Sequence, residues 1–524
     1  MTTAITKEGD KLKTQVLIIG GGATGTGLAR DLALRGVDCI LAEKLDINAG
    51  ASGANHGLLH SGARYVSADL TLAEECFREG VLLKRMAPQC IEDTGGLFVA
   101  VEGDDEKYIA DFPLLCAQGN VPVTALDIKE AREMEPALSD RLIAAYKAED
   151  AVIDPFKLSM ENIFQACERG CTLLRHTEVI GFVKNKHRIQ ATRLINTLTG
   201  KTFLVEAEQV VNAAGAWAGQ IAELASVAIH VLFSKGSLLV THTRITQQVV
   251  NRLRPSSNAD ILVPGGTVSI LGTTSVRIDS LNDIRPSVQE IDLIVGEGAK
   301  MIPALETIRY IRAYAGVRPL VGSETSEDDR GVSRGFALFD HEEDSLDNFI
   351  TITGGKLTTY RLMAEKTADL VCRRLDISTP CKTRTDPLPS ARAAQWTKPG
   401  LTPRLWITSH EPDDTLICEC QMVPKSAVDN IVDSIHQQGG RPDLISIGVR
   451  SRIGKGSCQG TICGLRLVAY LYEKGELDAD QGLASLREFL GGRWRGVRPL
   501  LWDMPLIQAE LLEALYCGFL CLEL

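Results

Sequence analysis

Residues 15–43 read QVLIIGGGATGTGLARDLALRGVDCILAE. An apolar run, Val16 to Ile19, enters a glycine turn, and a helix follows with Leu28, Leu32 and Leu34 near one face. Gly36 ends that helix, and a second strand, Asp38 to Ala42, stops at Glu43. The pattern predicts a βαβ unit. Gly20, Gly22 and Gly25 form G-x-G-x-x-G. The first glycine makes the tight turn, the second admits a pyrophosphate to the backbone, and the third lets helix and strand pack closely. The pyrophosphate is expected on the unpaired amides of the helix start, beside Ala23 and Thr24. Glu43, 18 residues past Gly25, is placed to accept hydrogen bonds from an adenosine ribose. Lys44 and Ser52 are the further contacts expected near it. A purely structural glycine turn is the bland alternative, but strand, turn, helix, strand and acid all occur in order.

The unit itself does not say whether the dinucleotide is FAD or NAD, and the rest of the chain favours FAD. One such fingerprint is present, so flavin and nicotinamide cannot each have one. FAD lies extended and touches distant segments, and two more segments suit close approach. VVNAAGAW ends a strand in small residues, with Ala214, Gly215 and Trp217 as expected contacts. TGGKLTTYR sets Gly354 and Gly355 before a helix, with Lys356, Leu357 and Thr358 following.

Several glycine-bearing turns also carry a cation: HSGARY (His60, Arg64, Tyr65), YAGVRPLVG (Tyr314, Arg318), GVSRG (Arg334) and ITGGKLTTYR (Lys356, Arg361). Arginine matches phosphate or carboxylate oxygens bidentately. A small anionic substrate beside the cofactor is therefore expected. A lone arginine is more often a surface ion pair, and a lone histidine more often structural. His60, four residues before Arg64, is the candidate base.

The whole chain has 524 residues, 44% hydrophobic and 23% charged, which excludes disorder over most of its length. About three or four folding units are expected at that length. Its net charge of -11 argues against nucleic acid as a partner, so an anionic ligand needs a local cationic cluster. No run approaches the ~18 apolar residues that span a bilayer, and the N-terminus lacks an apolar signal core; a cytoplasmic chain is expected. Residues 15–378 are assigned to the flavin region, with FAD-binding and substrate-binding subdomains interleaved. Within it, residues of about 230–345 read as strand-rich. Residues 379–415 carry six prolines and read as a linker. Residues 416–470 form a small module, and 471–524 an apolar helical segment with Leu511, Leu512, Leu515 and Leu520 as a candidate docking face.

The small module holds Cys418 and Cys420 as C-x-C, and Cys458 and Cys463 as C-x-x-x-x-C, with 37 residues between the pairs. Four thiolates in two close pairs suit a [2Fe-2S] cluster. Zinc is the rival, though its pairs more often use C-x-x-C, and unligated cysteines are the bland reading. The glycines around the second pair would bring backbone amides to the sulfurs.

On GGGATG, HSGARY, GVRPL and GGKLTTYR, the stretch of about residues 15–375 resembles the FAD-dependent glycerol-3-phosphate dehydrogenase family. Residues 416 to about 470 resemble the bacterioferritin-associated-ferredoxin-like (BFD-like) [2Fe-2S] domain, with the four cysteines as ligands. That domain is absent from the simpler aerobic enzymes, so the resemblance is to the anaerobic, quinone-linked branch. It implies an α/β fold: a Rossmann-like FAD-binding domain of the glutathione-reductase/amino-acid-oxidase type with a mixed-sheet substrate domain, plus the small cluster module. It implies oxidation of sn-glycerol 3-phosphate to dihydroxyacetone phosphate. Arg64, Tyr65, Arg318 and Lys356 would line the substrate and flavin site, with Arg334 a less secure match in the phosphate cluster; His60, Arg64, Arg318 and Lys356 are the catalytic candidates. The resemblance further implies a second flavoprotein subunit, with FMN a candidate cofactor of the complex. It also implies a membrane-anchoring iron–sulfur subunit that delivers electrons to menaquinone. The chain would then lie peripherally on the cytoplasmic face of the inner membrane. Two other readings stay open: a flavin-dependent amine or amino-acid dehydrogenase with an added cluster, and a non-catalytic electron-transfer subunit.

Overall fold

The structure, a computed structural model, describes residues 11–282, 284–321, 335–389, 412–437 and 440–522. Its first strand, Lys11–Ile19, and the strand Cys39–Ala42 are parallel neighbours joined by the helix Ala23–Leu34. Alternate side chains of a strand point to opposite faces. Accordingly Val16 and Ile18 enter one buried cluster and Leu17 and Ile19 another. That is why the run is apolar at every position: both faces of a parallel sheet are covered.

The parallel core runs Thr172–Leu174, Cys39–Ala42, Lys11–Ile19, Thr202–Asn212, Phe349–Gly354. Thr177–Asn185 and Arg188–Asn196 continue it as an antiparallel meander on one half of Thr202–Asn212. Phe336–Asp340 closes the other side, giving eight strands. A second sheet is nine-stranded and mixed. Its strands Leu232–Thr241 and Tyr310–Leu320 pair antiparallel along their length. The region of about 230–345, read as strand-rich, also contains the helix Val288–Met301. Ser287 and Glu290 cap it reciprocally, satisfying two amides of its first turn.

Two boundaries differ from the sequence reading. One hydrophobic cluster runs from Ile417 to Leu522, so the cysteine module does not end near 470. The helix Ala479–Val497 supplies Leu486, Phe489, Leu490 and Trp494 to that shared core. The start of the proline-rich stretch is fixed: Leu388 is buried, Gln89 Nε2 donates to the carbonyls of Leu388 and Pro389, and Arg30 Nη2 donates to Asp386 O. Residues 390–411 of that stretch lie outside the described residues. The module is pinned to the part that carries the βαβ unit by Arg450, whose Nη1 lies 2.9 Å from Asp46 Oδ2, and by Arg452 against Asp154. No helix among the described residues is long and apolar enough to cross a membrane.

Candidate active site

A cavity of about 360 Å³ opens where the first strand ends. The helix Ala23–Leu34 begins at Gly22 with no side-chain cap. Ser52 Oγ accepts the Ala23 amide at 3.0 Å, and Glu43 accepts those of Gly21 (2.6 Å) and Leu45 (2.9 Å). Burial pushes the Glu43 carboxyl up, against the pull of those two amides. A Cβ at Gly20 would lie 2.6 Å from Ala213 O, and one at Gly25 only 1.9 Å from Gly20 O. The backbone thus approaches itself as a dinucleotide turn requires. Gly354 (φ +81°) and Gly355 (φ +70°) adopt left-handed backbone at the far wall. A helix start whose N-cap residue has no side chain, a half-buried carboxylate and glycine-framed walls fit the pyrophosphate and ribose of a dinucleotide.

Most of the expected cofactor contacts line this cavity: Gly20, Gly22, Ala23, Thr24, Glu43, Lys44 and Ser52 at one end, then Ala214, Gly215, Trp217, and Gly354 through Leu357. Two do not. Gly25 faces Gly20 and serves packing. Thr358 is fully buried behind the wall, where its hydroxyl accepts the His60 amide at 3.1 Å. Thr358 therefore positions the histidine segment.

His60, Arg64, Tyr65, Arg318 and Lys356 gather at the other end of the cavity. The Tyr65 hydroxyl lies 3.1 Å from His60 Nε2, and Lys356 Nζ sits 4.1 Å from the Tyr65 ring centre. Arg64 Nη2 donates to Asp260 (2.9 Å) and to Ser257 O (3.3 Å), while its buried Nη1 has no protein partner among the described residues. Arg318 Nη1 donates to Thr274 O at 3.2 Å, and its Nη2 to Thr273 Oγ1. Arg361 turns away, held by Glu79 (2.6 Å) and Glu365 (2.8 Å), and the Tyr314 hydroxyl donates to Asn55 O at 2.8 Å. Arg334 lies outside the described residues.

The sequence reading passed over His56. It lines the same cavity, and its buried Nδ1 has no partner among the described residues. Burial, then Arg318, Arg64 and Lys356, push its pKa down to about 3, so the ring is neutral. Three cations from three distant segments therefore converge on one histidine. Its place in GANHGLLHSGARY, four residues before His60, was the signal available.

In the cysteine module the four thiols close a ring: Cys418 meets Cys420 and Cys463, and Cys458 meets the same two. A Cβ at Gly456 would lie 2.2 Å from Cys420 Cβ, so the approach demands glycine there. Among the described residues no group of three or more His, Cys, Asp or Glu is placed to hold a metal ion. An all-thiol set in two pairs has the donor chemistry of an iron–sulfur cluster.

Residues 15–370 match the model of the family described as FAD dependent oxidoreductase. The chain is 42% identical, over 99% of its length and 98% of the relative's, to a subunit of the anaerobic glycerol-3-phosphate dehydrogenase of Escherichia coli (strain K12). The chain belongs to the FAD dependent oxidoreductases, in the branch of the anaerobic glycerol-3-phosphate dehydrogenases. Among solved structures, the glycerol-3-phosphate dehydrogenase of Bacillus halodurans complexed with FAD superposes with a TM-score of 0.65 at 21% identity, covering 95% of this chain and 97% of that one. Glycine oxidase from Geobacillus kaustophilus superposes at 0.58 and 21% identity, over 72% of this chain and 99% of that one. Both likenesses speak to the fold alone. As a member of this oxidoreductase branch the chain is an enzyme; the amine-oxidase alternative is left with a shared fold.

Proposed function

We propose that the chain oxidises sn-glycerol 3-phosphate to dihydroxyacetone phosphate and sends the electrons, through its four-cysteine module and partner subunits, to a quinone. The observation that carries this reading is the convergence of Arg64, Arg318 and Lys356 at one end of a cavity whose other end is an uncapped helix start. Three cations around one pocket suit a phosphate dianion better than a carboxylate. The names of the 42%-identical relatives agree with that choice.

The glycine turn, Glu43 and the Gly354–Gly355 wall would hold FAD, and Cys418, Cys420, Cys458 and Cys463 would hold a [2Fe-2S] cluster. When bound, the flavin supplies a two-electron acceptor for the hydrogen on the substrate's C2, and the cluster a one-electron outlet. Arg318, with the open Nη1 of Arg64, binds the phosphate and fixes the carbinol carbon in place. His60 Nε2 takes the proton of the C2 hydroxyl, steered by the Tyr65 hydroxyl. Lys356 lies over the Tyr65 ring and lowers the energy of the developing alkoxide. Neutral His56 separates the cations without adding a fourth positive charge.

The exposed side of the last helix would dock the partner subunits, a second flavoprotein and a membrane-anchored iron–sulfur protein that reduces menaquinone. The chain would then sit peripherally on the cytoplasmic face of the inner membrane. Anaerobic titration with glycerol 3-phosphate tests the first half-reaction: the flavin absorbance should bleach stoichiometrically. A protein that stays colourless after flavin is supplied, or one bleached by glycine or proline but not by glycerol 3-phosphate, overturns the reading.

A further inference from the structure

We propose that the cavity between the flavin-binding part and the cysteine module is a second anion site, built for a phosphate-type dianion. This cavity, about 510 Å³, is larger than the first and shares the wall Asn55–His56 with it. Five cationic side chains line it: Arg244, Arg312, Arg452, Lys455 and Arg493. Arg452 is answered by Asp154 and Arg244 by Glu92 at 2.8 Å. The other three make no side-chain hydrogen bond or ion pair among the described residues. Arg312 Nε, Lys455 Nζ and Arg493 Nε are closed off from solvent without a partner. Glu488, exposed at the rim, is the remaining lining carboxylate.

The three cations come from separate elements: the strand Tyr310–Leu320, the loop after the helix Leu444–Ser451, and the helix Ala479–Val497. What they meet is aromatic. Lys455 Nζ lies 3.6 Å from the Phe156 ring centre and the Arg493 guanidinium 4.9 Å from that of Phe489. Ring faces only partly offset the loss of water around a charge. Burial, then Arg452, lowers the Lys455 pKa well below the usual lysine range against the pull of Asp154, and burial with the repulsion of Arg312 draws Arg493 down to about 9. Charges gathered this way from three elements, with only Asp154, already paired with Arg452, acting on Lys455, are arranged for an anion that is not part of the chain. Guanidinium forks match phosphate oxygens. Two sources share that chemistry: the free ion, and the phosphate end of a larger ester, for which the volume leaves room.

The test uses the full-length protein with flavin and cluster in place, kept anaerobic. Inorganic phosphate is titrated by calorimetry into the parent and into Arg312→Gln, Arg493→Gln and Lys455→Met, the last keeping an apolar stem against Phe156. Arg318→Gln marks the phosphate event of the catalytic cavity. The expected result is a binding event, separate from that of the catalytic cavity, that weakens at least tenfold in the first three variants and is unchanged in Arg318→Gln. Flavin mononucleotide, followed by fluorescence quenching, separates the sources. Quenching that phosphate competes away and Arg493→Gln abolishes identifies an ester; phosphate binding without quenching identifies the free ion. The proposal falls if the parent shows no such event. It also falls if Arg493→Gln binds phosphate normally and shifts only the cluster potential, since the cations would then serve the cluster. None of these readouts depends on turnover, so the site stands or falls separately from the proposed reaction.

Discussion

Gly236 sits where a methyl group would overlap the Arg318 guanidinium, 2.4 Å from Nη2. The overlapped atoms end a flexible side chain, so Gly236→Ala should fold normally while moving the phosphate clamp. A charge-assisted hydrogen bond contributes about 1.5–3 kcal/mol, so the KM for glycerol 3-phosphate should rise about 10- to 100-fold with little change in melting temperature. An unchanged KM would show that Arg318 does not hold the phosphate. The two histidines separate by pH. His56, pushed down to about 3, does not titrate across the assay range. His56→Gln should therefore leave the ascending limb of kcat/KM against pH in place. His60→Asn should lower kcat by about 10²–10⁴-fold. Loss of the limb in His56→Gln would reassign the base.

At the scale of elements, the helix Leu444–Ser451 is held to the flavin-binding part through Asp46, whose carboxylate faces both Arg450 (2.9 Å) and Arg175 (3.0 Å). Burial pushes the Asp46 carboxyl up, but Arg450 and Arg175 more than reverse this and hold it below the usual range. Its contribution to stability is then complete above the unfolded carboxylate's pKa, about 3.9, and is lost as pH falls through the lower folded value. Asp46→Asn leaves two buried guanidinium groups without countercharge, at a cost of about 3–5 kcal/mol. Thermal melting at neutral pH should show the destabilisation, and the gap from the parent should narrow in acid. The βαβ unit around Gly20 was legible because its strand, turn and helix are neighbours in sequence. The helix Val288–Met301 was legible too, in its S-x-x-E start, yet the glycines and prolines around it drew the reading toward strands. His56 was not: the cations that define its role arrive from Arg318 and Lys356, hundreds of residues away. The same holds for the second cavity, where Arg312 of the strand Tyr310–Leu320 meets Lys455 and Arg493 of the module.

Among the described residues, exposed large apolar side chains are most closely spaced on the helix Asp503–Leu520. Tyr516, Cys517 and Leu520 turn inward against the module's core, so Leu520 does not belong to the docking face read from sequence. Ile507, Leu511, Leu515 and Phe519 form a ladder at four-residue spacing on the outside, with Phe519 89% exposed. Such a stripe needs a covering surface, and it lies on the same module as the cysteine ring, where electrons would have to leave. Charged residues placed there should uncouple the two halves of the reaction. In Leu511→Glu/Leu515→Glu, glycerol 3-phosphate should still bleach the flavin and reduce a soluble dye at the parent's rate. Reduction of a quinone in membranes containing the partner subunits should fall at least tenfold, and the chain should wash off those membranes. If quinone reduction survives at the parent's rate, the stripe is not the docking surface and the electrons leave by another face.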